Sequence, residues 1–455
     1  MLLQHFYDVI GIFMLYNLYL VSITYLFFQV KPNKYSFRNS SEPYTMFVDM
    51  NSFFASCEQQ DNYYLRNRPV GVCVYTGKYG CVISPSIEAK KHGIKTGMRL
   101  NEAMELCPEL VPVETHPDRY RSYHVKIMNV LRKYSQEVTP KSIDEAVIDF
   151  NSYKFIYKDL KPVALKIKND IRSEVGDWLK CSIGIAPNSF LAKLASELEK
   201  PDGLTVINEQ NIDTILEKLS LTDLPGISKG METRFVRAGI KTPLDIRYAS
   251  PQKLKEACKS IVGIHWHYRL NFVEADFVNE TYKSMSVMRQ LSKEQRSHQE
   301  TLHNLLLSFC MKLEGRMVRS DVHCQHVYTH ISYENGTQWK DNYKLATPLQ
   351  DGIDLLHIIK HRMNAFEKKH SIPSLLNAAT TAIGIVVSDF ISSQCVQYSL
   401  FYDREKKDEL RKTIYKIKDK YGNQKIKKAS EITDEPTFKD AIGFGSVKDL
   451  HIDSD

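Results

Sequence analysis

Two stretches of this chain put acids where an apolar strand has no structural use for them. Asp49 lies inside MFVDM (46–50), and the adjacent Asp144 and Glu145 lie in KSIDEAVIDF (141–150). Burying an unpaired carboxylate among Phe47, Val48, Val147 and Ile148 costs at least several kcal/mol. Two carboxylates about 4 Å apart repel by roughly 4 kcal/mol at an effective dielectric of about 20. Their joint presence therefore implies a bound divalent cation or a strongly raised pKa. The reading is a magnesium site for phosphoryl chemistry.

The elements that must position these acids follow from periodicity. Residues 46–54 read as a strand entering a helix, and 70–75 (VGVCVY) and 80–84 (GCVIS) as short strands joined by a turn. A helical stretch begins at Ser86, and another over 122–134 leads into the acidic pair. Val163, Ile167, Ile171 and Val175, behind Pro162, mark a helix by their spacing of four. CSIGIA (181–186) is a strand, followed by Pro187 and Asn188 at a helix start. Strand and helix alternate as in an α+β sheet with helices on one face. Beyond 207 the texture becomes helices and glycine turns, with LPGI (224–227) as a hydrophobic hairpin. Strands near 284–291, 323–333, 341–347 and 381–388, with helices at 299–319 and 353–369, give β-α-β-β-α-β, and a further helix is expected at 403–420.

At 455 residues the chain is too long for one core. A net charge of +7 with lysine clusters makes nucleic acid the first partner to consider. Nine scattered cysteines without a C-x-x-C pair argue for a reducing compartment and against structural zinc. Residues 9–30 run 22 positions without a charge, ahead of Lys31, Lys34 and Arg38, which is the length and flank of a membrane span. Asn17, Ser22, Thr24 and several tyrosines speak against one, as does a catalytic strand opening at Met46. Membrane association and upstream sequence from a wrong start codon both stay open.

FVDMNSFFASCEQ (47–59), SIDEAVIDF (142–150) and SIGIAPNSFLAKLASELEKPDGLTVI (182–207) together resemble the Y-family DNA polymerases, the translesion group that includes the bacterial DinB and UmuC proteins. The resemblance extends from about 46 to 390. It implies an α+β right-hand polymerase with palm, small fingers, helical thumb and a β-α-β-β-α-β little finger. Its boundaries would be a hydrophobic extension at 1–45, palm at 46–52 and 118–207, fingers at 53–117, thumb at 208–277, linker at 278–284, little finger at 285–395 and an exposed tail at 396–455. The activity implied is error-prone, template-directed DNA synthesis in the cytoplasm, at the nucleoid, with primer-template DNA and dNTPs as partners.

In that family two aspartates and a glutamate hold two Mg²⁺ ions. The pattern falls on Asp49, Asp144 and Glu145, with the backbone carbonyl of Met50 as a further ligand. Successive strand residues point to opposite faces, so a hairpin end or bulge must bring Asp144 and Glu145 together. Phe54 matches the steric gate beneath the sugar, with Phe53 packed near the nucleotide. Ser84, Lys90 and Lys200 match the triphosphate contacts, whereas Lys193 reads as solvated surface. Ile87 and Lys90 stand where the resemblance to DinB-like fingers implies Tyr-x-x-Arg, and UmuC-like members also carry a lysine there.

The hairpin resembles a helix-hairpin-helix, whose backbone N–H groups at Gly226 and Ile227 would grip a DNA phosphate, although Ser228 stands where a second glycine is usual. Lys283, Arg289, Arg316 and Arg319 are the little-finger candidates for DNA. Gln397, Leu400 and Phe401 spell Q-x-x-L-F, which resembles the peptide that binds the bacterial sliding clamp. A catalytically inactive DNA- or clamp-binding paralogue and a magnesium-dependent nucleotide cyclase on a related palm stand as alternatives.

Overall fold

The computed structural model describes residues 41–77, 80–276, 282–397, 404–422, 425, 426 and 428, which form two compact units divided at 277–281. In the first, β1 (Thr45–Met50) enters α1 (Phe53–Asp61) through Ser52, at φ +49°. Then come β2 (Val70–Cys73), β3 (Val82–Pro85), α2 (Ile87–Lys91), α3 (Leu100–Leu106) and β4 (Val111–Glu114), whose strands make a three-stranded sheet ordered β3-β2-β4. Next are α4 (Pro117–Arg132), β5 (Val138–Pro140), β6 (Glu145–Asp149), α5 (Lys161–Asp170), β7 (Cys181–Ala186), α6 (Ser189–Leu198) and β8 (Leu204–Val206). Pro117 starts α4 five residues ahead of the helix expected at 122–134, because its ring suits a first helical turn.

The central sheet runs β5-β6-β1-β7-β8. Helices on one face were the expectation; the structure covers both. Met46 and Val48 of β1 pack with Ile127 and Leu131 of α4 and Ile167 of α5, while Phe47 and Val147 face the other way onto Phe190, Leu191 and Leu194 of α6. A strand apolar at both parities is a strand buried on both faces. Close approach of α6 depends on Gly184 of β7, where a Cβ would stand 2.0 Å from the Ala192 carbonyl oxygen and 2.4 Å from the Ser196 nitrogen. The α6 face is extended by α7 (Ile212–Leu216), α8 (Lys229–Arg237), α9 (Pro243–Tyr248), α10 (Pro251–Cys258) and α11 (Val262–Leu270), with Trp266 edge-on to Phe190 at 5.3 Å.

The second unit has the expected β-α-β-β-α-β order: β9 (Ser284–Gln290), α12 (Gln299–Arg319), β10 (Val322–Tyr333), β11 (Gln338–Leu349), α13 (Gly352–His370) and β12 (Thr380–Ser392). Its sheet, β11-β10-β12-β9, packs Val327, Ile331, Ile383, Ile385 and Val387 against α12 and α13. The opposite parity forms a second face, whose cross-strand rows include Lys344, His326, Ser388 and Ser284, and then Lys340, His330, Gly384 and Met288.

A last helix, α14 (Arg404–Tyr421), falls where 403–420 was expected, but it is docked rather than exposed. Its inner side is Asp408, Arg411, Tyr415 and Lys418, so it is held by charge more than by an apolar stripe. Arg411 reaches Asp408 and Asp351 at 2.6 Å and Glu314 at 3.6 Å, and Lys428 closes on Glu314 at 2.8 Å. Glu314 is wholly buried, and these cations together with the Gly352 N–H, which donates to it at 2.6 Å, offset the cost of burying it. Arg411→Ala should cost about 3 kcal/mol in urea unfolding of the full chain. Lys412→Ala, which breaks a half-exposed pair to Asp321, should cost under about 1 kcal/mol.

Candidate active site

Antiparallel pairing sets Asp49 of β1 directly opposite Glu145 of β6. Both share the parity of Phe47 and Val147, so both side chains stand on the face that α6 covers. Lys193 and Glu197, one turn apart on α6, descend onto them. Oxygens of Asp49, Glu145 and Glu197 lie within 4.8 Å of one another. Lys193 pairs with Glu145 and sits 4.8 Å from the Phe47 ring, so it is part of the site and not solvated surface. Lys200 bridges Asp49 at 2.9 Å and Glu197 at 2.8 Å. The buried Asn51 side chain accepts the Asp202 N–H at 2.7 Å and donates to the Ser182 hydroxyl at 3.0 Å, tying the Lys200 turn to the end of β1.

Asp144 is not in that cluster. It precedes β6 in the β5–β6 turn, where its carboxylate takes the Ser142 hydroxyl and its carbonyl accepts the Met50 N–H at 2.9 Å. The Met50 side chain is buried in the core.

Burial pushes the Asp49 carboxyl up to about 7, against the pull of Lys200, with Glu145 and Glu197 adding to the rise. Burial raises Asp144 as well, and Glu145 adds to it against the Ser142 hydrogen bond. Lys90 on α2 is held below its ordinary value by desolvation and by the Lys200 ammonium. Burial works to lower Lys200, but Asp49 and Glu197 more than offset it. Lys90, Lys193 and Lys200 thus stand among carboxylates of which Asp49 is buried, Glu145 half-buried and Glu197 exposed, and the carboxylate oxygens are hard donors of the kind a divalent cation takes. The donor set fits such an ion.

Around this centre the expected nucleotide residues divide. Phe53, 2% exposed, and Phe54, 7% exposed, both belong to the core, and Phe54 also stacks on Tyr120. The buried Ser84 hydroxyl accepts from the Ala55 N–H at 3.4 Å.

The residues expected to meet DNA fall at several places in the fold. The Ile227 N–H is spent on the Leu224 carbonyl at 3.0 Å, closing a turn in which Gly226 takes φ +93° and Ile227 is buried. Arg289 has the parity of Met285 and Val287, the helix side of the second sheet. Arg316 and Arg319 are on α12, where Arg316 donates to the Ser286 carbonyl at 3.0 Å and Arg319 pairs with Asp419 at 2.7 Å. Lys283 is exposed ahead of β9. Gln397 is exposed, while Leu400 and Phe401 lie outside the described residues, as do 1–40 and most of the 278–284 linker. Among the described residues no helix is long and apolar enough to cross a membrane.

A two-faced sheet with acids paired across its central strands, a small three-stranded sheet, a helical subdomain and a β-α-β-β-α-β unit define a right-hand nucleotidyltransferase. The impB/mucB/samB family matches residues 48–197, and its C-terminal domain matches 282–400. DNA polymerase IV of Clostridioides difficile is 34% identical over 293 residues, covering 64% of this chain and 80% of that protein. DNA polymerase IV 1 of Bacillus subtilis is 28% identical over 406 residues, 87% of this chain and 95% of that protein. Among solved structures, a Y-family DNA polymerase chimera built on Dbh superposes with a TM-score of 0.63 at 22% identity, covering 76% of this chain and 99% of that one. The chain belongs to the impB/mucB/samB family, the UmuC/DinB-like Y-family of metal-dependent, template-directed DNA polymerases.

A carboxyl raised from 3.8 to about 7 binds its proton more tightly in the folded state, so stability falls as pH rises across that interval. Asp49→Asn removes the loss. In chelator, the variant's unfolding midpoint relative to the wild type should rise by roughly 4 °C between about pH 4 and about pH 8. An unchanged difference would mean that Asp49 titrates normally.

Proposed function

We propose that Asp49, Asp144 and Glu145, with the Met50 carbonyl, hold two Mg²⁺ ions at which dNMP passes from a dNTP to a primer 3′-hydroxyl in error-prone synthesis across damaged bases. The reading rests on one observation above the others: Asp49 and Glu145, from distant parts of the chain, face each other in register on a buried sheet. When bound, the ions activate the hydroxyl and neutralise the leaving pyrophosphate.

The chain's own groups do the rest. Lys90 and Lys200 meet the triphosphate as point charges, which suits phosphates that turn in a loose transition state. Lys200 exchanges Asp49 for the nucleotide while Glu197, three residues before it, keeps its ammonium near the opening. Phe54 lies under the sugar and leaves no space for a 2′-hydroxyl. Fingers made of three short strands and three short helices provide little closure around the nascent pair, which explains tolerance of lesions.

Palm, fingers, thumb and little finger take the boundaries given above. Duplex lies on the second sheet's face away from its helices, where Lys340, His330 and Tyr328 line a depression of about 660 Å³ and Lys344 and His326 share the same face. Such contacts are sequence-tolerant and weaken with salt. The Gln397–Phe401 segment takes the sliding clamp, and the enzyme works in the cytoplasm at the nucleoid.

In primer extension, Asp144→Ala and Glu145→Ala should each lower dNTP incorporation by about 100-fold or more with primer-template affinity kept within about two-fold. Parallel loss of both would make the residues structural. Phe54→Ala should admit ribonucleotides, and unaltered sugar selectivity would remove the gate.

A further inference from the structure

A steric gate discriminates only if it does not yield. A ring that slides aside at little cost admits the 2′-hydroxyl, and each tenfold of selectivity needs about 1.4 kcal/mol of resistance. What holds the Phe54 ring is therefore part of the selectivity, and the structure supplies an unusually closed brace for it.

Phe54 is the second residue of α1, and its ring stacks on Tyr120 of α4 with centroids 4.5 Å apart and planes 16° apart. Tyr120 is completely buried. Its hydroxyl donates to Glu58 Oε1 at 2.6 Å and accepts the His116 backbone N–H at 3.1 Å. Glu58 lies four residues after Phe54, one turn along α1, and is 3% exposed. The same Oε1 takes His116 Nδ1 at 2.8 Å, and Arg119 Nη1 is 3.6 Å from Oε2. Burial and the Glu58 carboxylate hold the Tyr120 phenol far above its ordinary range, so it stays a donor.

These contacts form a triangle. Phe54 is stacked on Tyr120, Tyr120 is hydrogen-bonded to Glu58, and Glu58 is fixed to Phe54 through one turn of the same helix. The Phe54 ring cannot rotate without unstacking Tyr120, and Tyr120 cannot follow without leaving a buried carboxylate short of a donor. Both phenylalanines lie in one apolar core, where Phe53 meets Phe54 at 5.8 Å with planes tilted by 47°. Ordinary core filling explains Phe53. It does not explain why the ring beneath Phe54 is tethered to the gate's own helix.

We infer that Tyr120 is a positioning residue for sugar selection, clamping Phe54 through their stack and itself clamped by Glu58. The inference rests on the reading of Phe54 as the gate.

The test is single-nucleotide insertion with matched dNTP and rNTP by the wild type, Phe54→Ala, Tyr120→Phe and Tyr120→Leu, with an unfolding midpoint for each. Tyr120→Leu removes the stack and should raise the rNTP:dNTP ratio of kcat/KM about tenfold, through faster rNTP insertion with dNTP insertion held within about threefold. Tyr120→Phe keeps the ring and loses only the tether, and should raise the ratio about threefold. If Phe54→Ala relaxes selectivity and neither Tyr120 variant does, Tyr120 is mere packing and the inference is wrong. If Phe54→Ala leaves selectivity intact, the gate reading itself is wrong and the inference goes with it. Should Tyr120→Leu not fold, Tyr120→Phe decides alone: a raised ratio supports the clamp and an unmoved one overturns it.

Discussion

Negative charge held on an apolar sheet is the constraint from which this molecule is built. Asp49 and Glu145 occupy adjacent central strands, flanked by side chains that can only be core. Such an arrangement stands only if positive charge is delivered to it. The deliverer is one helix and the turn behind it: Lys193 reaches Glu145, and Lys200 reaches Asp49. Gly184 lets that helix lie on the sheet, and Asn51 pins the turn. Glu197 adds a third carboxylate whose oxygen lies within 4.8 Å of those of Asp49 and Glu145, a donor set that a divalent cation would take.

The two units spend polar interactions differently. In the first, the acids of the central sheet and the lysines of α6 and its following turn gather where chemistry is expected, and the apolar cores on each side of the sheet carry the packing. In the second, charge does architectural work. Glu314, Arg411, Asp351 and Asp408 secure a helix whose inner side has few apolar residues, and Lys428 adds to the hold. A satisfied network of this kind gives geometric specificity where hydrophobic area is short. It also explains why a lysine-rich stretch that looks like loose surface in sequence is fixed to the domain.

Positioning at the nucleotide side follows the same economy. Phe53 and Phe54 are neighbours of one type in one core, yet only Phe54 is stacked on a ring anchored by a buried carboxylate. Their difference comes from α4, which arrives about sixty residues later in the chain and offers Tyr120 to only one of them.

Motif and periodicity sufficed for much of this protein. The acids in apolar strands, the β-α-β-β-α-β order and the helix at 299–319 were all legible, because side-chain period and burial cost are local properties of a sequence. Strand β1 even declared its two-sided burial, in that Met46, Phe47 and Val48 are apolar at both parities, although a one-sided sheet was the expectation. What tertiary structure alone decided was which side chains meet. Lys193 and Glu197 are ordinary helix residues until Gly184 brings their helix onto the sheet. Arg319 carries no visible partner in the sequence until the fold sets Asp419 beside it, and the Ile227 N–H has none until the turn brings it the Leu224 carbonyl. Charge and hydrogen-bonding capacity are written in the residues, but whether a partner within the fold has already consumed them depends on contacts between distant segments.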